Sequence, residues 1–352
     1  MRIRQFIPVL HRNDAIGESI ILFSRFLDEA GIANEVCALD SDRDAEISIK
    51  APDEITEGRD DINLLHYALP SPVTGIFLSR KGRKVLVFHN ITPASYFKKA
   101  DKRFVNVINA GYREIDLIKD QVDLAIADSS FNRSTLESCG YNNVVVYPVF
   151  IDFSRLDRPE KRPLARHLGD YLNVLVLGRV APNKRIEDAI RAFNPLKLKL
   201  YPKSRLWIAG KATDHPDYYN ALLRLASAWG LTDIHFTGKV TERELSTFLR
   251  HSTLLLSLSE HEGFCVPVLE AFYSGIPVVA YDAGAVAETM GEGGIILKKK
   301  DFHGIAELIY RIKTDSTLAS EIIETQKKRL AFFSINAQRK RAGELIKLLE
   351  LL

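Results

Sequence analysis

Short apolar runs alternate with segments of helical spacing along almost the whole chain. In the first half the strand-like runs fall at 3–8, 33–39, 62–67, 84–88, 122–127 and 143–147, with amphipathic stretches such as GESIILFSRFLDEAG at 17–31 between them. This alternation predicts βαβ units, hence a parallel sheet with helices on both faces. Residues 151–170, IDFSRLDRPEKRPLARHLGD, are charged, contain Pro159 and Pro163, and break the pattern. It then restarts, with strands expected at 173–177, 205–209, 234–237, 253–258, 277–281 and 294–297. The final stretch, RLAFFSINAQRKRAGELIKLLELL, reads as amphipathic helix with a polar break near Ser334. The fold class expected is therefore α/β, with two doubly wound parallel-sheet domains in series. The first covers 1–152, a linker 153–170, the second domain 171–332, and a C-terminal helix 333–352 that can pack back on the first domain.

Composition agrees with that division. A chain of 352 residues is long for one core. With 46% apolar and 26% charged residues it has the make-up of a water-soluble globular protein. A net charge of +3 exerts no strong pull toward nucleic acid. The basic runs SRKGRK (79–84), FKKADKR (97–103), LKLKLYPKSR (196–205) and KKK (298–300) read as solvated faces. Those in the first domain also suit peripheral contact with an anionic membrane. Cys37, Cys139 and Cys265 lie too far apart for a disulfide framework or a zinc site. The stretch MRIRQFIPVLHRND has too short an apolar run for a secretory signal, and no segment is long enough to span a bilayer. The expected location is cytoplasmic, with peripheral contact at the inner face of the membrane.

Ligands of open α/β sheets bind beyond the carboxyl ends of the strands, so two sheets in tandem predict a cleft for chemistry. Three strands of the second half end in glycine and a cation: Gly178-Arg179, Gly210-Lys211 and Gly238-Lys239. The first of these loops, GRVAPNKR, adds Lys184. Arg179 and Lys184 can converge on one anion such as a diphosphate, or remain two surface cations. Thr241 and Glu244 form a capping box, which makes Glu244 structural. The stretch SEHEGFCVPVLEAFYSG holds two glutamates. Pro267 suits a helix start, Gly275 a helix end, and the free N–H groups of 263–266 suit a phosphate. Glu270 either stabilises that helix end or accepts the hydroxyls of a ribose. Glu262, beside an anion site, needs donors, and sugar hydroxyls are donors.

HEGFCVPVLEAFYSGIPVVA, with GRVAPNKR upstream, resembles the large family of retaining, nucleotide-sugar-dependent glycosyltransferases with the GT-B fold, family four in the usual sequence classification. NDAIGES at 13–19, VFHNITPA at 87–94 and ADSSFNRSTLESCGYNNVVVYPVFID resemble further motifs of bacterial members that build surface polysaccharide. The resemblance covers nearly the whole chain. It implies that Arg179 and Lys184 hold the donor diphosphate and Glu270 the ribose. Glu262 would bind hydroxyls of the transferred sugar beside the amides of Gly263 and Phe264. Also implied are a sugar contact from His89, close approach of the first loop to the phosphates through Gly17, and contact of the base with backbone near Lys239 and Val240. The chain departs from the family at Cys265 and Val266, where many members have glycine and leucine, and at Asn13, where related proteins often have glycine. Cys265 is expected to pack, not to react.

The implied activity is that of a retaining hexosyltransferase, moving sugar from a nucleoside-diphosphate donor to a saccharide or lipid-linked acceptor. Two cations and a helix N-terminus can stabilise the leaving diphosphate, so no metal and no cofactor are expected. DSD at 40–42 imitates a metal motif but reads as turn residues. An enzyme carboxylate could serve as nucleophile; the resemblance favours same-face attack, with the leaving phosphate helping to deprotonate the acceptor. A nicotinamide enzyme would need G-x-G-x-x-G after the first strand, and PVLHRNDAIGES lacks it. A sugar-nucleotide epimerase of the same fold and a non-catalytic sugar-binding protein are the competing readings.

Overall fold

The computed structural model describes residues 1–12, 14–42, 47–56, 58–98 and 102–352. Asn13 and the centre of the basic run at 97–103 lie outside the described residues. Two compact units are present: Met1–Ala94, Arg103–Asp152 and Phe333–Leu352 form one; Ser95–Lys102 and Phe153–Phe332 form the other.

The first unit is built on a parallel sheet of seven strands: β1 (Ile3–Leu10), β2 (Asn34–Ser41), β3 (Ile49–Lys50), β4 (Ile62–Tyr67), β5 (Arg83–Phe88), β6 (Leu124–Ala127) and β7 (Val144–Val146). Their order is β3-β2-β1-β4-β5-β6-β7, so the winding reverses between β1 and β4. The helices are α1 (Ala15–Glu29), α2 (Pro72–Ser79), α3 (Lys102–Ile118) and α4 (Ser130–Ser138). The strands are buried on both faces, which is why their sequences run nearly continuously apolar. Two-residue β3 was not foreseen, since it is too short to carry a period. Asp40, read as a turn residue, falls inside β2, and Asp42 just beyond it accepts the Arg12 N–H at 2.9 Å.

The second unit has a six-stranded parallel sheet: β8 (Leu172–Leu177), β9 (Ser204–Ala209), β10 (Ile234–Gly238), β11 (Leu254–Ser257), β12 (Val278–Tyr281) and β13 (Ile295–Leu297). The order is β10-β9-β8-β11-β12-β13, with the reversal between β8 and β11. Its helices are α5 (Arg162–Leu168), α6 (Ile186–Pro195), α7 (Pro216–Ala228), α8 (Glu242–His251), α9 (Val266–Tyr273), α10 (Val286–Met290), α11 (Phe302–Thr314) and α12 (Ser316–Leu330). The expected capping box opens α8: the Thr241 side chain accepts from the Glu244 N–H, and Glu244 accepts from the Thr241 N–H at 2.9 Å.

Two expected boundaries differ. The stretch 153–170 is no open linker but a 3-10 turn (Phe153–Asp157) and α5, both packed on α8. Its charge misled the reading: Ser246 donates to the Leu156 carbonyl at 2.6 Å, and Lys161 pairs with Glu244 at 2.7 Å. Ser95–Lys102, assigned to the first domain by sequence position, belongs to the second unit. There Phe97 is buried against His215 and Tyr96 donates to the Glu260 carbonyl at 3.1 Å. The final helix, α13 (Ile335–Glu350), is capped by Ser334 and belongs to the first unit. It packs on α1 and contributes Ala342, Leu345, Ile346 and Leu349 to that core.

Candidate active site

In a doubly wound sheet, the crevice for a ligand opens beyond the strand ends where the winding reverses. In the second unit that point is flanked by the loops after β8 and β11, which carry GRVAPNKR and SEHEGF. The two loops are zipped together by one residue. Asn183 donates its side-chain N–H to the His261 carbonyl at 3.1 Å, and its own carbonyl accepts the Glu260 N–H at 2.8 Å. Both partners are main chain, so the loops are fixed whatever side chains lie at 260 and 261. Sequence reasoning passed over Asn183. Only its donor end is a side chain; the accepting carbonyl is main chain.

Glu262 and Lys184 meet across this zipper. The Lys184 ammonium lies 2.7 and 2.9 Å from the two Glu262 oxygens, and Glu262 is 7% exposed. The Glu262 main chain is held from behind: its carbonyl accepts the Ala285 N–H at 2.9 Å. A Cβ on Gly284, whose φ is +59°, would sit 2.3 Å from that carbonyl oxygen, so only glycine fits there. His261 beside it is buried, which drives its pKa down to about 4. Arg179, at the mouth of the same loop, is exposed. Gly178, Gly210 and Gly238 end β8, β9 and β10 with φ of +135°, +155° and +70°, and exposed Lys239 and half-buried Val240 follow the third.

Glu270, on the buried face of α9 and 5% exposed, pairs with the Arg155 guanidinium. Arg155 comes from the 3-10 turn in the stretch read as a linker, so it was missed. That turn is clamped to α9 at a second point: the Phe153 and Tyr273 rings stack 5.1 Å apart, and the Tyr273 hydroxyl donates to Asp157 at 3.0 Å. The two glutamates thus belong to separate ion pairs, Glu262 with Lys184 and Glu270 with Arg155. Between them the chain runs through Gly263, Phe264 and Cys265 into the first turn of α9. The Phe264 carbonyl accepts the Thr289 hydroxyl. Cys265 is buried at φ +75°, a left-handed conformation that favours glycine, and burial pushes its thiol pKa upward. It is a packing residue in a position that costs backbone strain.

In the first unit, His89 follows β5 and is 3% exposed at its side chain. Asn90 then turns the chain at φ +81°, a region asparagine tolerates. His89 lies 2.8 Å from Asp128 through Nδ1 and 2.8 Å from His66 through Nε2. His66 in turn lies 3.0 Å from Gln5 through Nε2. Strand periodicity supplies this row. Ile62-Leu64-His66, Val85-Val87-His89 and Leu124-Ile126-Asp128 each put two apolar residues and then a polar one on the same face. The carboxyl ends of adjacent strands β4, β5 and β6 therefore close that face with a polar row, which Gln5 within β1 extends. The signal was in the sequence; His89 was selected and its three neighbours were not. Gly17 has a local role: a Cβ there would lie 2.0 Å from the His11 carbonyl oxygen, so glycine lets the loop after β1 close onto α1.

Among the described residues, no group of three or more His, Cys, Asp or Glu is placed to hold a metal ion, and no helix is long and apolar enough to cross a membrane.

Comparison with known proteins adds to this geometry. Residues 157–329 match the family described as Glycosyl transferases group 1. The chain is 28% identical to the serotype-specific mannosyltransferase WbdA of Escherichia coli over 151 residues, 42% of this chain and 18% of that protein. It is 33% identical to the 2-deoxystreptamine N-acetyl-D-glucosaminyltransferase of Niallia circulans over 169 residues, 47% of this chain and 42% of that protein. The chain thus spans less than half the length of either relative. Over 99% of both chains the fold matches that of Anabaena HepE, solved in complex with UDP and glucose, with a TM-score of 0.77 at 15% identity. It also matches WaaG, a glycosyltransferase involved in lipopolysaccharide biosynthesis, with a TM-score of 0.72 at 14% identity over 98% of this chain and 99% of that one.

Proposed function

We propose that this protein, whose fold is GT-B and whose residues 157–329 match the glycosyl transferases group 1 family, is a glycosyltransferase of the bacterial polysaccharide type that moves a hexosyl group from a nucleoside-diphosphate sugar to a saccharide or lipid-linked acceptor, with retention and without metal. The observation that carries the reading is the Lys184–Glu262 pair on loops joined by Asn183 at the reversal of the second sheet. A cation and a carboxylate held together there suit the two ends of one ligand: phosphate for Lys184, sugar hydroxyls for Glu262. Names among the relatives, a mannosyltransferase and an N-acetylglucosaminyltransferase, support a sugar donor.

In this proposal Arg179 and Lys184 bind the diphosphate, with the amides of Gly263 and Phe264 beside it. Donor binding draws Lys184 from Glu262 toward phosphate and frees the carboxylate for the sugar. Glu270 accepts the ribose hydroxyls, with Arg155 orienting its carboxylate. Main chain near Lys239 and Val240 meets the base. His89 acts on the sugar and Gly17 shapes the first loop. The charge developing on the leaving diphosphate is met by fixed cations, and its oxygen takes the acceptor proton on the face it leaves. The same proposal includes peripheral contact with anionic membrane, where a lipid-linked acceptor would reside.

The test is a thermal-shift screen with uridine, guanosine and adenosine diphosphates, followed by turnover of the matching sugar donors. Stabilisation by one diphosphate and acceptor-dependent release of it are expected. A response to none of the three would overturn the donor assignment. Sugar conversion on donor alone would point to an epimerase, and binding without turnover to a sugar-binding protein. Glu262→Gln should lower turnover ~100-fold while diphosphate affinity is kept. Loss of affinity instead would overturn the division of labour between Glu262 and Lys184.

A further inference from the structure

The polar ladder of the first unit has a proton count that its geometry dictates. Its two ends accept. Asp128 Oδ2 faces His89 Nδ1 at 2.8 Å, and Gln5 Oε1 faces His66 Nε2 at 3.0 Å. The Gln5 amide is oriented by the Ile20 carbonyl, a pure acceptor 3.5 Å from Nε2; the Ser24 hydroxyl at 2.9 Å can donate or accept. Between the ends, His66 Nδ1 and His89 Nε2 are 2.8 Å apart. The ring planes lie within 6° of each other with centroids 5.1 Å apart. Parallel rings stacked at van der Waals distance could not bring two nitrogens to 2.8 Å, so these rings meet edge to edge through a hydrogen bond.

Each of the three contacts needs one proton, and with Asp128 a carboxylate and Gln5 accepting, all three must be ring N–H protons. One must point to Asp128, one to Gln5, and one must lie between the rings. Two neutral imidazoles carry only two. We propose that His66 and His89 together hold three ring protons, as one imidazole and one imidazolium with Asp128 as counter-ion. In this proposal His66, Gln5 and Asp128 are positioning residues that keep a positive charge on His89 at the carboxyl edge of the sheet.

The surroundings favour the charge on His89. It is the ring that touches the carboxylate. His66 is enclosed, and burial together with the neighbouring His89 holds its pKa well below the usual histidine range. The ladder borders a cavity of about 30 Å³, room for one or two waters. Among the described residues lining it, Asp128 is the sole carboxylate. Tyr147, whose pKa burial raises, is the remaining titratable group. The apolar remainder includes Phe23 from α1 and Leu345 from α13. No ring nitrogen of His89 is left over, so a ligand meets the ring as a charge and a polarised C–H edge, unless the bond to His66 opens.

The count is read directly by nitrogen-15 NMR of the histidine-labelled protein at neutral pH, with His66→Gln and His89→Gln assigning the resonances. Three protonated nitrogens across the two rings are expected; two, with Gln5 reversed and donating, would overturn the proposal. Asp128→Asn should reduce the count to two. The kinetic arm rests on the transferase reading: in Asp128→Asn, kcat should fall ~100-fold with the donor KM little changed. Turnover left intact by a two-proton pair would overturn the role given to the charge. The NMR count stands or falls without any turnover, so its outcome is distinct from failure of the donor assignment.

Discussion

The two sheets of this chain have the same winding and carry their polar groups in opposite ways. In the second unit each charge is matched by one partner: Lys184 by Glu262 on the loops after β8 and β11, and Arg155 of the 3-10 turn by Glu270 of α9. In the first unit Gln5 and His66 lie within β1 and β4, His89 and Asp128 directly follow β5 and β6, and the four form one continuous row. Paired charges on loops can separate and take new partners, which suits groups that must greet and release a charged ligand. A row built into neighbouring strands cannot rearrange without moving the sheet. In the proposed function this contrast divides the work, with binding in the second unit and a fixed electrostatic environment in the first.

The largest effect should come from breaking the looser arrangement. Lys184→Ala removes the diphosphate cation and leaves the Glu262 carboxylate without its partner. A fall in kcat/KM of ~1000-fold is expected, read by donor turnover. A change below tenfold would show that the pair is structural and erase the contrast.

Arg155→Ala asks the same of the other pair. It strips the partner from a carboxylate that is 5% exposed, and a loss of about 2–3 kcal/mol in denaturant unfolding is expected. Arg155→Lys should restore part of it, because a single ammonium replaces the charge but not the planar fork. Unchanged stability would mean that Glu270 finds another donor.

The smallest effect concerns pH. Burial lowers the His261 pKa to about 4, so the unfolded chain binds a proton that the folded one refuses between about 6.5 and about 4. Stability should therefore fall as pH drops through that window, by about 3 kcal/mol at its lower end, and level off below it. Enclosed His66 acts in the same direction. His261→Gln should flatten the slope seen in thermal melts across this range. An unaltered slope would assign the sensitivity to the first unit.

Much of this organisation was legible in the chain. Twelve expected strand runs have counterparts among the thirteen strands, because a parallel strand buried on both faces must be written as a short apolar run. GRVAPNKR was legible by its glycine and cation after a strand, and SEHEGF by its glutamates ahead of a proline-started helix. The partnerships were not. Lys184 and Glu262 are 78 residues apart, and Arg155 and Glu270 are 115 apart, so nothing local announces either pair. Arg155 was hidden further by its charged, proline-containing surroundings, which look alike whether solvated or packed. Asn183 escaped because its partners are main-chain groups, which leave no mark on sequence.

The placement of α13 bears on how the chain is made. The first unit is closed by a helix synthesised after the whole of the second, with residues 153–332 emerging in between. Until Ala342, Leu345, Ile346 and Leu349 arrive, the face of the first sheet that they cover stays exposed during translation. The second unit can therefore fold while the first is still waiting. Release of the last residues is therefore the step that completes the first core, and until then its open face is a substrate for chaperones that bind apolar surface.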